Sequence, residues 1–189
     1  VTQLVQVTGA VNGDEGSIKG YEISYSDFFD KLPGIWSGLG VQANYTYINE
    51  NGSPNRGLNT SSVNSDDASN ISFADSLPLE GLSKNNANFA LLYEKQGFSG
   101  RIAYNWRSEY LLTTRDVITT LPIFNDANGQ LDASVFYNIN ENWKVGIQGT
   151  NLNDNITHTL MQINAQGDKK SRSWFTSDRR FSLVVRGNF

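Results

Sequence analysis

Long runs in which apolar and polar side chains alternate one for one constrain this chain more than any other feature. A β-strand turns successive side chains to opposite faces, so such a run needs apolar surroundings on one side only. From Arg180 to Phe189, Phe181, Leu183, Val185 and Phe189 share one face, and Ser182, Val184, Arg186 and Asn188 the other. Trp143, Val145 and Ile147 oppose Lys144, Gly146, Gln148 and Thr150. Leu131, Ala133, Val135, Tyr137 and Ile139 oppose Asp132, Ser134, Phe136, Asn138 and Asn140. Phe98, Gly100, Ile102, Tyr104 and Trp106 oppose Arg101, Ala103, Asn105, Arg107 and Glu109. Three further runs contain Ala87 to Glu94, Leu39 to Ile48 and Tyr21 to Phe29, and a weaker one covers residues 3–11. The pattern predicts about eight antiparallel strands.

Each run is about 10–14 residues long, whereas strands of soluble proteins are usually ~5–6 residues and bilayer-spanning ones ~9–11. Tyr45, Tyr47, Tyr93, Phe98, Tyr104, Trp106, Tyr137 and Trp143 lie near run ends, as in the aromatic girdles of a membrane barrel. The mean hydropathy of -0.42 fits, because barrel strands hide their apolar residues in alternation. No stretch approaches the ~20 consecutive apolar residues of a membrane helix. Connections alternate in length: residues 30–34, 96–97 and 140–142 are short, and about 50–81, 112–128 and 153–177 are long and polar. Only the connection near residues 12–16 departs from this. Short periplasmic turns and long outer loops are the outer-membrane pattern, and they put both chain ends on the periplasmic side. A soluble sandwich explains the alternation but not run length, girdles and loop lengths together. The expected fold is an all-β, antiparallel transmembrane β-barrel. It is either a complete eight-stranded barrel with a structural or adhesion role, or part of a larger one.

Little points to catalysis. There is no cysteine, so thiolate chemistry is absent. A net charge of -4 with no basic stripe argues against nucleic acid. His158, the only histidine, falls in a long loop with no nucleophile elbow nearby and reads as a solvated loop residue. Asn125-Asp126-Ala127-Asn128-Gly129 lacks the closing bidentate Glu of a calcium loop and reads as an Asx-rich turn; Asp66-Asp67 adds no ligand series. No enzyme activity, metal or cofactor is expected. Glu22, Glu94, Arg101, Arg107, Glu109, Asp132, Lys144 and Arg186 fall on polar faces, as wall bonds or contacts to a plug. Arg107, Glu109 and Tyr110 end their strand on the long-loop side. Trp174, Phe175, Asp178 and Arg179 lie where the last long loop re-enters the wall. Aromatic faces beside polar groups suit sugar rings, so these seven residues are the candidate substrate site. Loop packing is the competing role for Trp174.

Several segments, in order, resemble the C-terminal barrel portion of TonB-dependent outer-membrane receptors. They are Ile18-Lys19-Gly20-Tyr21-Glu22, Gln42-Ala43-Asn44-Tyr45-Thr46-Tyr47, Leu82-Ser83-Lys84-Asn85, Leu91 to Arg101, Tyr104 to Leu111, Leu131-Asp132-Ala133-Ser134 and Gly149-Thr150-Asn151-Leu152-Asn153-Asp154. The likeness runs from about residue 16 to residue 189. Residues 81–112 look most like the subgroup of xanthomonads, caulobacters and marine gamma-proteobacteria, which is often linked to oligosaccharide uptake. The resemblance implies a bacterial outer-membrane transporter with a barrel of roughly 22 strands around a plug. Residues 1–189 would supply about eight of those strands and no plug, making Val1 an internal cut. Expected partners are outer-membrane lipid, the rest of the barrel and the plug, the TonB complex through that absent part, and an oligosaccharide or, second, a siderophore or metal chelate. The terminal Phe189 resembles the signal read by the barrel assembly machinery.

Overall fold

The structure is a computed structural model that describes residues 15–52 and 77–188. The first expected strand at residues 3–11, most of the 50–81 loop, Asp66-Asp67 and Phe189 lie outside the described residues. The strands are β1 (Gly16–Phe28), β2 (Leu39–Gly52), β3 (Asn85–Lys95), β4 (Phe98–Arg107), β5 (Tyr110–Thr113), β6 (Ile123–Asn125), β7 (Asn128–Asn138), β8 (Trp143–Thr150), β9 (Ile156–Gln162), β10 (Lys169–Thr176) and β11 (Arg180–Gly187).

Seven of them form one antiparallel sheet in the order β1-β2-β3-β4-β7-β8-β11. Its register puts the predicted apolar residues in line. One row runs Val41, Leu91, Ile102, Ala133, Gly149, Phe181, and the next runs Leu39, Tyr93, Gly100, Val135, Ile147, Leu183. A one-residue slip in any pair would turn that strand's apolar set to the polar side, so alternation fixes the register. The apolar face is covered by no other part of the described chain: Ile102 is 51% exposed and Leu183 79%. The opposite face carries Glu22, Asn44, Asn88, Asn105, Gln130, Gln148 and Ser182.

Aromatic rings collect at the two ends of the apolar face. Tyr93, Phe98, Tyr137 and Trp143 stand near the short turns; Tyr21, Tyr45, Tyr47, Tyr104 and Trp106 stand at the other end, here called the rim. Tyr21 stacks on Tyr47 with centroids 5.3 Å apart, and Phe98 meets Tyr137 at 4.6 Å. The short turns have local causes. Gln96 and Gly97 both take positive φ, 51° and 82°, as the two-residue turn of a twisted hairpin requires. Asn140 Oδ1 accepts the amides of Asn142 and Trp143 at 2.9 and 2.8 Å. Between β1 and β2 a 3-10 turn covers Gly34–Gly38.

Two of the long connections are themselves built of strands. β5, β6, β9 and β10 form a second antiparallel sheet in the order β10-β9-β6-β5. Each follows or precedes a wall strand after a short break, so β4, β7, β8 and β11 continue into β5, β6, β9 and β10 beyond a seam. Side chains close the seam: Asn151 donates to the Ser177 carbonyl at 2.6 Å, and Asn153 to the Gly129 carbonyl at 2.8 Å. The Asn151 and Leu131 amides are taken by Asp132 and Asn153, both at 2.9 Å. The small apolar core lies here, where Leu77, Leu111 and Phe124 are buried and Leu121 and Leu160 pack on them. The run expected from Phe98 to Glu109 stops at Arg107: the Ser108 amide still reaches the Asn85 carbonyl at 2.9 Å, but the Asn85 amide goes to Ser108 Oγ at 3.0 Å and the ladder ends.

Candidate ligand site at the rim

Pairing across the rim sheet sets one face. Lys169 stands opposite Gln162 and Ser171 opposite Leu160; after a bulge at residue 172, Trp174 stands opposite His158. Phe124 lies beside Leu160, and Leu111 beside Phe124. Two polar clusters share this face or its edge.

In the first cluster the Arg107 guanidinium lies over the Tyr110 ring at 3.8 Å, donating Nε to Ser83 Oγ at 2.8 Å and Nη2 to the Gly81 carbonyl at 3.0 Å. Its planar fork thus ties residues 81–83 to the strand end. Glu109 is ion-paired with Lys169, whose ammonium also sits 3.9 Å from the centre of the Phe124 ring. Beside them is a cavity of about 310 Å³, lined by Glu50, Lys84, Glu109, Tyr110, Phe124 and neighbours. It offers both charge signs and two ring faces.

The second cluster centres on His158. Its Nδ1 lies 3.1 Å from Asp126 Oδ2 and its Nε2 3.1 Å from Ser171 Oγ. The Trp174 indole stacks on the imidazole, with centroids 5.2 Å apart and planes 8° from parallel. Trp174 remains 61% exposed. His158, with 23% of its side chain exposed, is therefore packed and bonded rather than solvated, which corrects the reading from sequence. Pairing draws in Asp126 and Ser171 from outside its own strand.

Of the seven expected residues, Arg107, Glu109 and Tyr110 come together, and Lys169 joins them to the strand that bears Trp174. Phe175 follows Trp174 directly and so points to the opposite face, 57% exposed. Asp178 and Arg179 belong to the connector at the seam; Arg179 reaches Asp154 at 3.7 Å, with both side chains more than half exposed. They join neither cluster. Lys169, Phe124, Asp126 and Ser171 are additional residues of the site. A third device braces it: Asp116 accepts the Thr119 amide at 3.0 Å and two bonds from Arg172 at 3.0 Å. The Thr119 amide foremost, and then Arg172, lower its pKa to about 2 against the opposing effect of burial. Among the described residues no group of three or more His, Cys, Asp or Glu converges on a metal position.

A twisted antiparallel wall with one exposed apolar face, two aromatic belts and a polar reverse is the wall of a transmembrane β-barrel. Residues 1–152 match the family model described as TonB dependent receptor-like, beta-barrel, and the chain belongs to that family. Receptors of this family are transporters of the bacterial outer membrane, in contact with lipid, a plug and TonB. The seven-stranded wall is a portion of such a barrel; within the described residues it does not close. Comparisons with curated proteins and with solved structures gave no match.

Proposed function

We propose that the rim is the outward-facing ligand site of a nutrient transporter whose substrate is an oligosaccharide. The observation that carries this reading is Trp174. One indole face is held flat by His158, and the ring stays largely exposed beside hydroxyl, carboxylate and imidazole groups. A fixed ring with polar neighbours matches a sugar, which has an apolar C–H face and a rim of hydroxyls. The cavity beside Glu109, Lys84 and Tyr110 supplies further donors and acceptors. A ferric chelate is the second substrate class, and the exposed aromatic platform favours the sugar over it. In this reading the chain supplies wall and rim. The plug and TonB supply energy coupling, and Phe189 addresses the chain to the barrel assembly machinery.

The test uses the full receptor in detergent, titrated with cello-, xylo- and malto-oligosaccharides and with a ferric hydroxamate, followed by tryptophan fluorescence. One sugar series should saturate, and Trp174→Ala should weaken it about tenfold, since an aromatic contact contributes up to ~1.5 kcal/mol. Saturation by the hydroxamate alone, or unchanged sugar affinity in Trp174→Ala, rejects the proposal.

A further inference from the structure

The apolar face is not evenly filled. Between its two central rows runs a trough of about 520 Å³, floored by Gly100, Ala133 and Gly149 and walled by larger side chains such as Leu91, Ile102 and Ile147. It starts at Leu39 and Tyr93 on the short-turn side and ends at Phe181, crossing from β2 to β11. Five strand spacings of ~4.8 Å make it roughly 24 Å long, an elongated groove and not a pit. With strands tilted ~45°, the trough spans roughly 17 Å along the membrane normal, about one leaflet of a ~30 Å hydrocarbon core.

A charge stands at its short-turn end. Lys95 pairs with Phe98 two residues beyond Tyr93, so its side chain belongs to the apolar face. Its ammonium is held by two neutral oxygens, the Gly34 carbonyl and the Ser37 hydroxyl. Those contacts fix its position and leave its charge available to an anion. Trp36, 57% exposed, lies in the same 3-10 turn, a placement suited to the headgroup region. Short turns face the periplasm in outer-membrane barrels, so this end lies in the leaflet made of glycerophospholipid.

We propose that the wall binds one glycerophospholipid, with an acyl chain in the Gly100–Ala133–Gly149 trough and its phosphate on Lys95. The inference rests on the membrane placement of the family and not on the identity of the transported ligand. Gly100→Leu tests the trough directly. A Cβ at Gly100 meets nothing closer than the Ser134 carbonyl oxygen at 3.8 Å and Tyr93 Cβ at 3.9 Å, so a side chain fills the groove without displacing backbone. Gly149 is unsuitable, because a Cβ there meets Leu152 at 2.7 Å. The full receptor is purified in mild detergent, and phospholipid per receptor is counted by native mass spectrometry and by extraction. Wild type should keep one phospholipid through detergent exchange. Gly100→Leu should lose it, and Lys95→Gln should keep about fivefold less. Val185→Leu, outside the trough, should match wild type. If Gly100→Leu does not give the heat-modifiable barrel, Lys95→Gln, which leaves the groove intact, decides. A wild type stripped clean, or wild-type retention in either folded variant, overturns the proposal.

Discussion

Ile102→Arg tests the central assignment, that the alternating apolar face lies in lipid. Ile102 is the fifth of the ten residues of β4, paired with Leu91 on one side and Ala133 on the other. Half of its surface faces away from the protein, so an arginine there clashes with nothing and chiefly changes medium. At mid-membrane an arginine costs about 2–4 kcal/mol, which lowers the folded-to-unfolded ratio roughly 30- to 1,000-fold. Asn88→Arg is the matched control. Asn88 lies on the polar face between Asn44 and Asn105, and the same charge there should shift stability by no more than about 0.5 kcal/mol. Full-length receptor refolded into lipid vesicles would be titrated with urea and scored by heat-modifiable mobility. The expected result is a large fall in midpoint for Ile102→Arg and a small one for Asn88→Arg. Equal midpoints would falsify the assignment of the two faces. The reverse order would mean that the polar face meets lipid.

Three further outcomes follow from particular contacts. The Asp116 carboxyl, lowered from 3.8 to about 2, stabilises its loop above about pH 4, and that contribution disappears as pH falls through about 2. The protection of the Thr119 amide, its exchange rate relative to the intrinsic rate at each pH, should fall over that window, and in Asp116→Asn it should already be low at neutral pH. Gly146→Ala should destabilise the wall by about 1–3 kcal/mol, because its Cβ would lie 2.5 Å from the Val135 carbonyl oxygen; an unchanged urea midpoint refutes this. Arg107→Lys should loosen residues 77–84 by roughly 1–2 kcal/mol through loss of the forked bonds to Ser83 and Gly81. Limited proteolysis should then cut there while the wall keeps its gel mobility.

What the sequence discloses follows from the range of each signal. Strand faces and turns are local: period 2 marks Phe89, Ile102 and Ile147 as one side, and Gln96-Gly97 as a turn, before any pairing is known. The rim strands are hidden because they are short and carry Thr, Ser and Lys among their apolar residues, with a bulge at residue 172 that breaks the alternation. Their polarity resembles that of loops, although pairing satisfies the backbone. The site depends on contacts of long range: His158 meets Asp126 across 32 residues, and Lys169 meets Glu109 across 60. Position along the strand places Arg107, Glu109 and Tyr110 at the rim, whereas nothing local distinguishes Lys169 or Ser171 from other loop residues. His158 shows the same limit, since its burial comes wholly from strands that pair around it.

The seam between wall and rim separates two problems that most sheets must solve together. Asparagine and aspartate side chains end the β7–β8 and β8–β11 ladders there, and the β6–β9 and β9–β10 pairing above resumes two residues out of register, whereas β5–β6 keeps the register of β4–β7. Residues gained or lost in the β9–β10 hairpin would leave the membrane register untouched. A lineage can therefore vary this hairpin while the lipid-facing half stays fixed. An engineer can do the same by exchanging the β9–β10 hairpin between residues 156 and 176, which keeps the seam residues Asn151, Asn153 and Ser177 and the wall as a constant chassis.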